Sequence, residues 1–157
     1  MIVVSDTSPL CYLVLIELVD VLPQMYGKVS IPREVGVELS SKKAPISVQK
    51  WIARPPSWLE IRSVENVQIP DALNELDDGE KEAIALAELL EATLILVDDR
   101  AARAVAEDRG FEIVGSIGVL RDASRAGLID LEIALKRLQQ TNFRVSMQIV
   151  EALLASE

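Results

Sequence analysis

The stretch from Thr93 to Gly110, TLILVDDRAARAVAEDRG, decides how this chain folds. TLILV is a nearly continuous apolar run of strand length, which belongs inside a sheet covered on both faces. Two carboxylates, Asp98 and Asp99, follow at once. The next segment predicts a helix that closes at Gly110, a residue type suited to the left-handed turn after a helix. Upstream, DDGEKEAIALAELLEA (77–92) is the clearest helical pattern in the chain. Downstream, FEIVG (111–115) reads as another short strand.

The same alternation extends to both ends. MIVVS predicts a buried strand, and SPLCYLVLIEL (8–18) an apolar helix with Ser8 as its N-cap and Pro9 in its first turn. KVSI (28–31) is a second strand, PREVGVELS begins a helix at Pro32, and APISVQKWIAR (44–54) is helical up to Pro55-Pro56. WLEIRSV (58–64) alternates as a strand, and IPDALNEL (69–76) reads as loop. From about residue 116 to 157 three helices are expected, divided near Gly127 and Thr141-Asn142. Strands alternating with helices predict an α/β fold, a mostly parallel central sheet with helices on its faces and a helical carboxy-terminal tail. The length of 157 residues suits one domain, taken here as 1–157.

Composition excludes several chemistries. The chain has no histidine, which rules out histidine-based triads, histidine general bases and Cys/His zinc sites. Its one cysteine, Cys11, has no partner for an internal disulfide and reads as a small buried hydrophobe. No apolar run reaches the ~18 residues of a membrane span, and MIVVSDTSPL lacks the basic start of a signal peptide, so a cytoplasmic location is expected. The net charge of −9 opposes nonspecific nucleic-acid binding at long range. The charge is uneven: between Leu39 and Leu59 there is no acid, while Lys42, Lys43, Lys50 and Arg54 flank Trp51 and Trp58. That segment reads either as a solvated surface with core tryptophans or as a polyanion contact.

Four acids stand in unusual places. In open parallel sheets, ligands bind outside the carboxyl ends of the strands. One strand here ends at Asp6 and another at Asp98-Asp99. Glu80 shares a helix stripe with Ala83, Ile84 and Ala87, and Glu38 borders the apolar face marked by Val35 and Leu39. Each acid alone has an ordinary reading. Asp6, Asp98 and Asp99 suit turns or caps, Asp77 with Glu80 fits a capping box, and Glu38 fits the edge of a stripe. Gathered in one cleft they would repel one another and raise each other's pKa, unless a divalent cation neutralised them. An all-carboxylate set points to Mg²⁺ or Mn²⁺, and to phosphoryl transfer, including phosphodiester hydrolysis, as the chemistry.

These residues resemble a PIN domain, the Mg²⁺-dependent ribonuclease fold of toxins in bacterial and archaeal toxin–antitoxin pairs. The likeness runs through VSDTSPL, VSIPREVGVELS and LDDGEKEAIALAELLEATLILVDDRAAR, and the step from Glu80 to Asp98 suits the family's acid spacing. A VapC-like subfamily of uncharacterised proteins is closer still, through DTSPL, IPREVGVEL, GEKEAIALA, DDRAAR and GSIGVLRDASRAGLI. The resemblance implies a three-layer α/β/α PIN-like domain. It implies Asp6, Glu38, Glu80 and Asp98 as catalytic, metal-binding acids, with Ser8 as a supporting hydroxyl near Asp6 and Asp99 as an alternative or auxiliary to Asp98. Two departures stand out. The third acid is glutamate where aspartate is usual, and Leu96-Val97 replace the hydroxyl residue common before the fourth acid.

The expected function is a Mg²⁺- or Mn²⁺-dependent ribonuclease, with Lys42, Lys43, Arg100 and Arg103 as RNA contacts. The alternative is a PIN-like binding module with weak or no catalysis. The resemblance further implies a small antitoxin partner and a homodimer.

Overall fold

The structure is a computed structural model that describes residues 1–65 and 68–156. Glu157, the last residue of the expected tail, lies outside the described residues. Among the described residues five strands form one sheet: β1 (Val3–Ser5), β2 (Val29–Pro32), β3 (Leu59–Arg62), β4 (Leu94–Leu96) and β5 (Glu112–Val114), in the order β3-β2-β1-β4-β5. Every pairing is parallel. The central strands β1 and β4 are buried at every position, as expected of strands covered on both faces. The edge strands β3 (LEIR) and β5 (EIV) carry charge, which discourages further strand pairing.

The helices are α1 (Thr7–Leu15), α2 (Val21–Tyr26), α3 (Arg33–Ser40), α4 (Ile46–Ala53), α5 (Asp78–Leu90), α6 (Arg100–Asp108), α7 (Ser116–Arg125), α8 (Leu131–Gln139) and α9 (Met147–Ala155). They make the α/β/α sandwich by the two-residue period of the strands. Val3, Leu94 and Leu96 face one core with Leu10, Leu13, Val48, Leu120 and Leu135. Val4 and Ile95 face the other, with Ile84, Leu86, Ala102 and Ala106 from α5 and α6. No helix among the described residues is long and apolar enough to cross a membrane.

Several expectations change in detail. Ser8 is not the N-cap of α1: the cap position is Asp6, and Ser8 lies inside the first turn. The segment 21–26, which the sequence pattern leaves unassigned, forms α2; Pro23 falls in its first turn, where the missing N–H costs nothing. IPDALNEL contains a 3₁₀ turn at Asp71–Leu73. Gly110, at φ 91°, ends α6 in the left-handed conformation. Cys11 is only half-buried, with its thiol pushed up by desolvation.

The strand order fixes where a site can form. The chain moves outward from β1 to β2 and β3, then returns across β1 to β4 and β5. The order reverses between β1 and β4, and the crevice outside their carboxyl ends is the binding position of open α/β sheets. Val4 pairs with Ile95 and Ser5 with Leu96, so the residues leaving both strands emerge side by side.

Candidate active site

Asp6 is the first residue beyond β1, and its N–H donates to the Leu96 carbonyl at 2.9 Å. That bond holds it against the end of β4. Although it occupies the cap position of α1, its side chain makes no capping hydrogen bond. It is 6% exposed, and its Oδ1 is buried without a hydrogen-bond partner. Burial raises its pKa to about 8; the Thr7 N–H opposes the rise, and the charges of Glu80, Asp77 and Glu38 add to it.

Four of the acids singled out by sequence, Asp6, Glu38, Glu80 and Asp98, line one cleft of about 640 Å³, together with Asp99 and Asp77. Each of the others is anchored by its own local device. Glu38, on α3, accepts from the Thr7 hydroxyl and from the Gly79 N–H at the start of α5. Desolvation raises its pKa, and these two donors oppose the shift. Glu80 closes a capping box with Asp77: its N–H donates to Asp77 Oδ1 at 2.8 Å, and its Oε1 accepts from the Asp77 N–H at 3.1 Å. Glu80 is 8% exposed and also meets the Asp99 carboxyl. Desolvation pushes it up to about 7, the Asp77 N–H opposes this, and the Asp77 and Asp99 charges add to it.

Asp98 and Asp99 have different tasks. Asp99 caps α6 by accepting from the Ala102 N–H at 3.0 Å. Asp98 accepts from the hydroxyls of Ser8 and Ser116, and from the Ser116 N–H, each at 2.7 Å. Ser8 therefore supports Asp98 rather than Asp6. The hydroxyl missing from the residue before Asp98 is supplied instead by α1 and α7.

The expected basic contacts scatter. Arg103 lines a cavity beside the cleft and shares its wall with Asp98. Arg100 is exposed at the start of α6. Lys42 lines a separate depression with Val37, Ile52 and Ile61, and Lys43 is exposed. Trp51 and Trp58 pack on the core with ring centroids 6.0 Å apart, in keeping with the core reading of that segment. Tyr12, Asn142, Phe143 and Arg144 also line the acid cleft. Sequence reasoning missed Asn142, Phe143 and Arg144 because they follow α8, far along the chain from every acid of the cleft. Tyr12 was hidden among the apolar residues of α1.

The donor set can be tested for a cation. Among the described residues, no group of three or more acid or cysteine side chains is already drawn together to hold a metal ion. The chemistry nevertheless fits one. Asp6 presents a buried, unpartnered carboxylate oxygen among like charges, so it needs a proton or a cation. The set is all oxygen, as Mg²⁺ and Mn²⁺ prefer.

A family model described as a PIN domain matches residues 2–157. No curated protein and no solved structure matches the chain.

Proposed function

The chain belongs to the PIN-domain family, and from that premise we propose that it is a Mg²⁺- or Mn²⁺-dependent endoribonuclease hydrolysing RNA phosphodiester bonds, the cytoplasmic toxin of a VapBC-type pair. PIN domains are typically metal-dependent nucleases, which supplies the reaction class. The observation that supports the reading most is Asp6, a buried carboxylate with an unpartnered oxygen at the switch point of a parallel sheet. In this reading Asp6, Glu80 and Asp98 hold the ion, with Asp99 auxiliary. The bound ion supplies an activated water and offsets charge on the phosphate.

The remaining work falls to the chain's own residues. Glu38, fixed by Thr7 and Gly79, orients the attacking water at the cleft wall. Ser8 and Ser116 keep Asp98 in one orientation, which limits misplacement of the reacting groups. Glu80, with a pKa near 7 before any cation binds, gives up its proton near neutral pH. The test is cleavage of labelled single-stranded and structured RNA with Mg²⁺ or Mn²⁺ against a chelator control. Metal-dependent cleavage that Asp6→Asn abolishes supports the reading. No metal-dependent cleavage, or undiminished cleavage by Asp6→Asn, contradicts it.

A second reading is a PIN-like binding module without catalysis. It is favoured by one observation: Glu38, Glu80 and Asp98 already have hydrogen-bond donors of their own. The two readings separate by melting, because a ligand that binds only the folded state stabilises it by RT ln(1 + [M]/Kd). An unchanged Tm in millimolar Mn²⁺ selects the binding module, and a Tm raised by Mn²⁺ selects the nuclease reading.

The proposal extends to a small antitoxin covering the cleft and to a homodimer. Exposed Met147 and Ile149 on α9 offer apolar surface for such contacts. Light scattering at twice the 17.2 kDa chain mass supports the dimer, and a monomer at every concentration rules it out.

A further inference from the structure

A second cavity, of about 360 Å³, adjoins the acid cleft beyond the end of β5. Arg103 from α6, Arg121 from α7 and Arg144 from the α8–α9 connection line it. Asp98, Phe143 and Arg144 line both spaces, so the two are neighbours. Three arginines converging on one cavity form a local exception in a chain of net charge −9.

Little inside the protein competes for their donors. Among the described residues, neither Arg103 nor Arg144 has an ion-pair partner, and Arg121 has Asp122 at 3.4 Å on the surface. Asp98, the carboxylate on the cavity wall, is turned to donors from Ser8 and Ser116 and forms no ion pair with Arg103. Gly115 keeps the approach open. A Cβ there would stand 2.6 Å from Arg103 Nη1 and 2.9 Å from Asp98 Oδ1. At the junction, Phe143 meets Tyr12 edge to face at 4.8 Å, and Tyr12 lines the acid cleft.

We propose that this cavity is a phosphodiester subsite in which Arg103, Arg121 and Arg144 hold the RNA backbone phosphate next to the one presented to the acid cleft. The proposal rests on the nuclease reading for what the acid cleft receives. Guanidinium forks match phosphate oxygens bidentately, and an aromatic face beside a cationic groove suits a base beside its phosphate. Such alternation of anion and ring fits a polynucleotide better than an acidic peptide. The arrangement also answers the charge problem, since it gives RNA a local attraction that the whole molecule lacks.

The test is fluorescence anisotropy of a labelled single-stranded oligoribonucleotide in a chelator, where metal-dependent cleavage is off, across a KCl series. The Arg103→Ala/Arg121→Ala/Arg144→Ala variant is expected to bind at least ~100-fold more weakly, with a salt slope shallower by about 0.7 for each lost phosphate contact. Arg144→Glu, at an exposed position, guards against misfolding; it is expected to keep its Tm and to bind at least ~10-fold more weakly. Lys28→Ala/Lys136→Ala, at exposed positions that line neither cavity, is the control. The proposal is overturned if wild type does not bind the RNA, if the arginine variants bind like the lysine control, or if an oligo-aspartate peptide is bound through these arginines in preference to RNA. A parallel Mn²⁺ cleavage assay separates the two claims. Arginine-dependent binding without cleavage keeps the subsite and removes the nuclease reading. Cleavage with an unchanged KM in the triple variant does the reverse, while a raised KM with kcat retained supports both.

Discussion

At the scale of single residues, Asp6 carries the account. A carboxylate that is 6% exposed, with one oxygen unpartnered, is a poor choice for stability and a good one for binding a cation. Asp6→Asn is therefore predicted to raise the stability of the metal-free protein by roughly 1–3 kcal/mol at pH 8, read from urea denaturation, while abolishing cleavage. A destabilised Asp6→Asn protein would count against the assignment. Asp98 gives the opposite case, since three donors satisfy it. Ser116→Ala is predicted to cost about 1 kcal/mol, measured by the same denaturation, and to lower activity by loosening Asp98. Asp6 and Asp98 were legible in sequence because each directly follows an apolar strand. Ser116 was not, because its partnership with Asp98 depends on β4 and β5 lying side by side.

At the scale of elements, the amino end of α5 organises the cleft. Asp77 and Glu80 cap it from within, and its Gly79 N–H receives Glu38 from α3. The sequence revealed the cap through its D-x-x-E spacing, and Glu38 through its place beside an apolar stripe. It did not reveal that the two elements meet at Gly79, since that contact depends on how α3 and α5 pack. A Cβ at Gly79 would lie 2.5 Å from Glu38 Oε1. The displaced group is the end of a flexible side chain, so Gly79→Ala is predicted to leave Tm within about 2 °C while lowering kcat on the order of 100-fold by moving Glu38. Circular-dichroism melting beside RNA cleavage kinetics reads both effects. Retained activity would remove Glu38 from the mechanism. The α2 segment shows the limit of pattern reading at this scale: six residues with an internal proline carry too little periodicity to announce a helix.

At the scale of the whole molecule, the parallel sheet followed from the alternation of apolar strands and helices, while the strand order and its reversal between β1 and β4 did not. The arginine cavity did not follow, because its walls come from α6, α7 and the α8–α9 connection. The acid cleft also sets a pH dependence. The folded pKa of Asp6 is raised from 3.8 to about 8, and that of Glu80 from 4.5 to about 7, chiefly by desolvation. Between the unfolded and folded values the native state binds more protons than the unfolded chain, so stability falls as pH rises through that window. The Tm of the metal-free protein is predicted to drop by on the order of 5 °C between pH 5 and pH 8 in differential scanning calorimetry. Saturating Mn²⁺ should reverse much of the drop at pH 8, since the ion needs the deprotonated carboxylates. A flat or rising metal-free profile would contradict the burial of ionisable acids.

The central claim, that these acids form one divalent-metal site, is tested most directly by anomalous scattering from crystals grown with Mn²⁺. The account predicts a peak in the acid cleft within roughly 2.0–2.3 Å of Asp6 Oδ1. No anomalous peak in the cleft at millimolar Mn²⁺, or a peak whose ligands do not include Asp6, would contradict it.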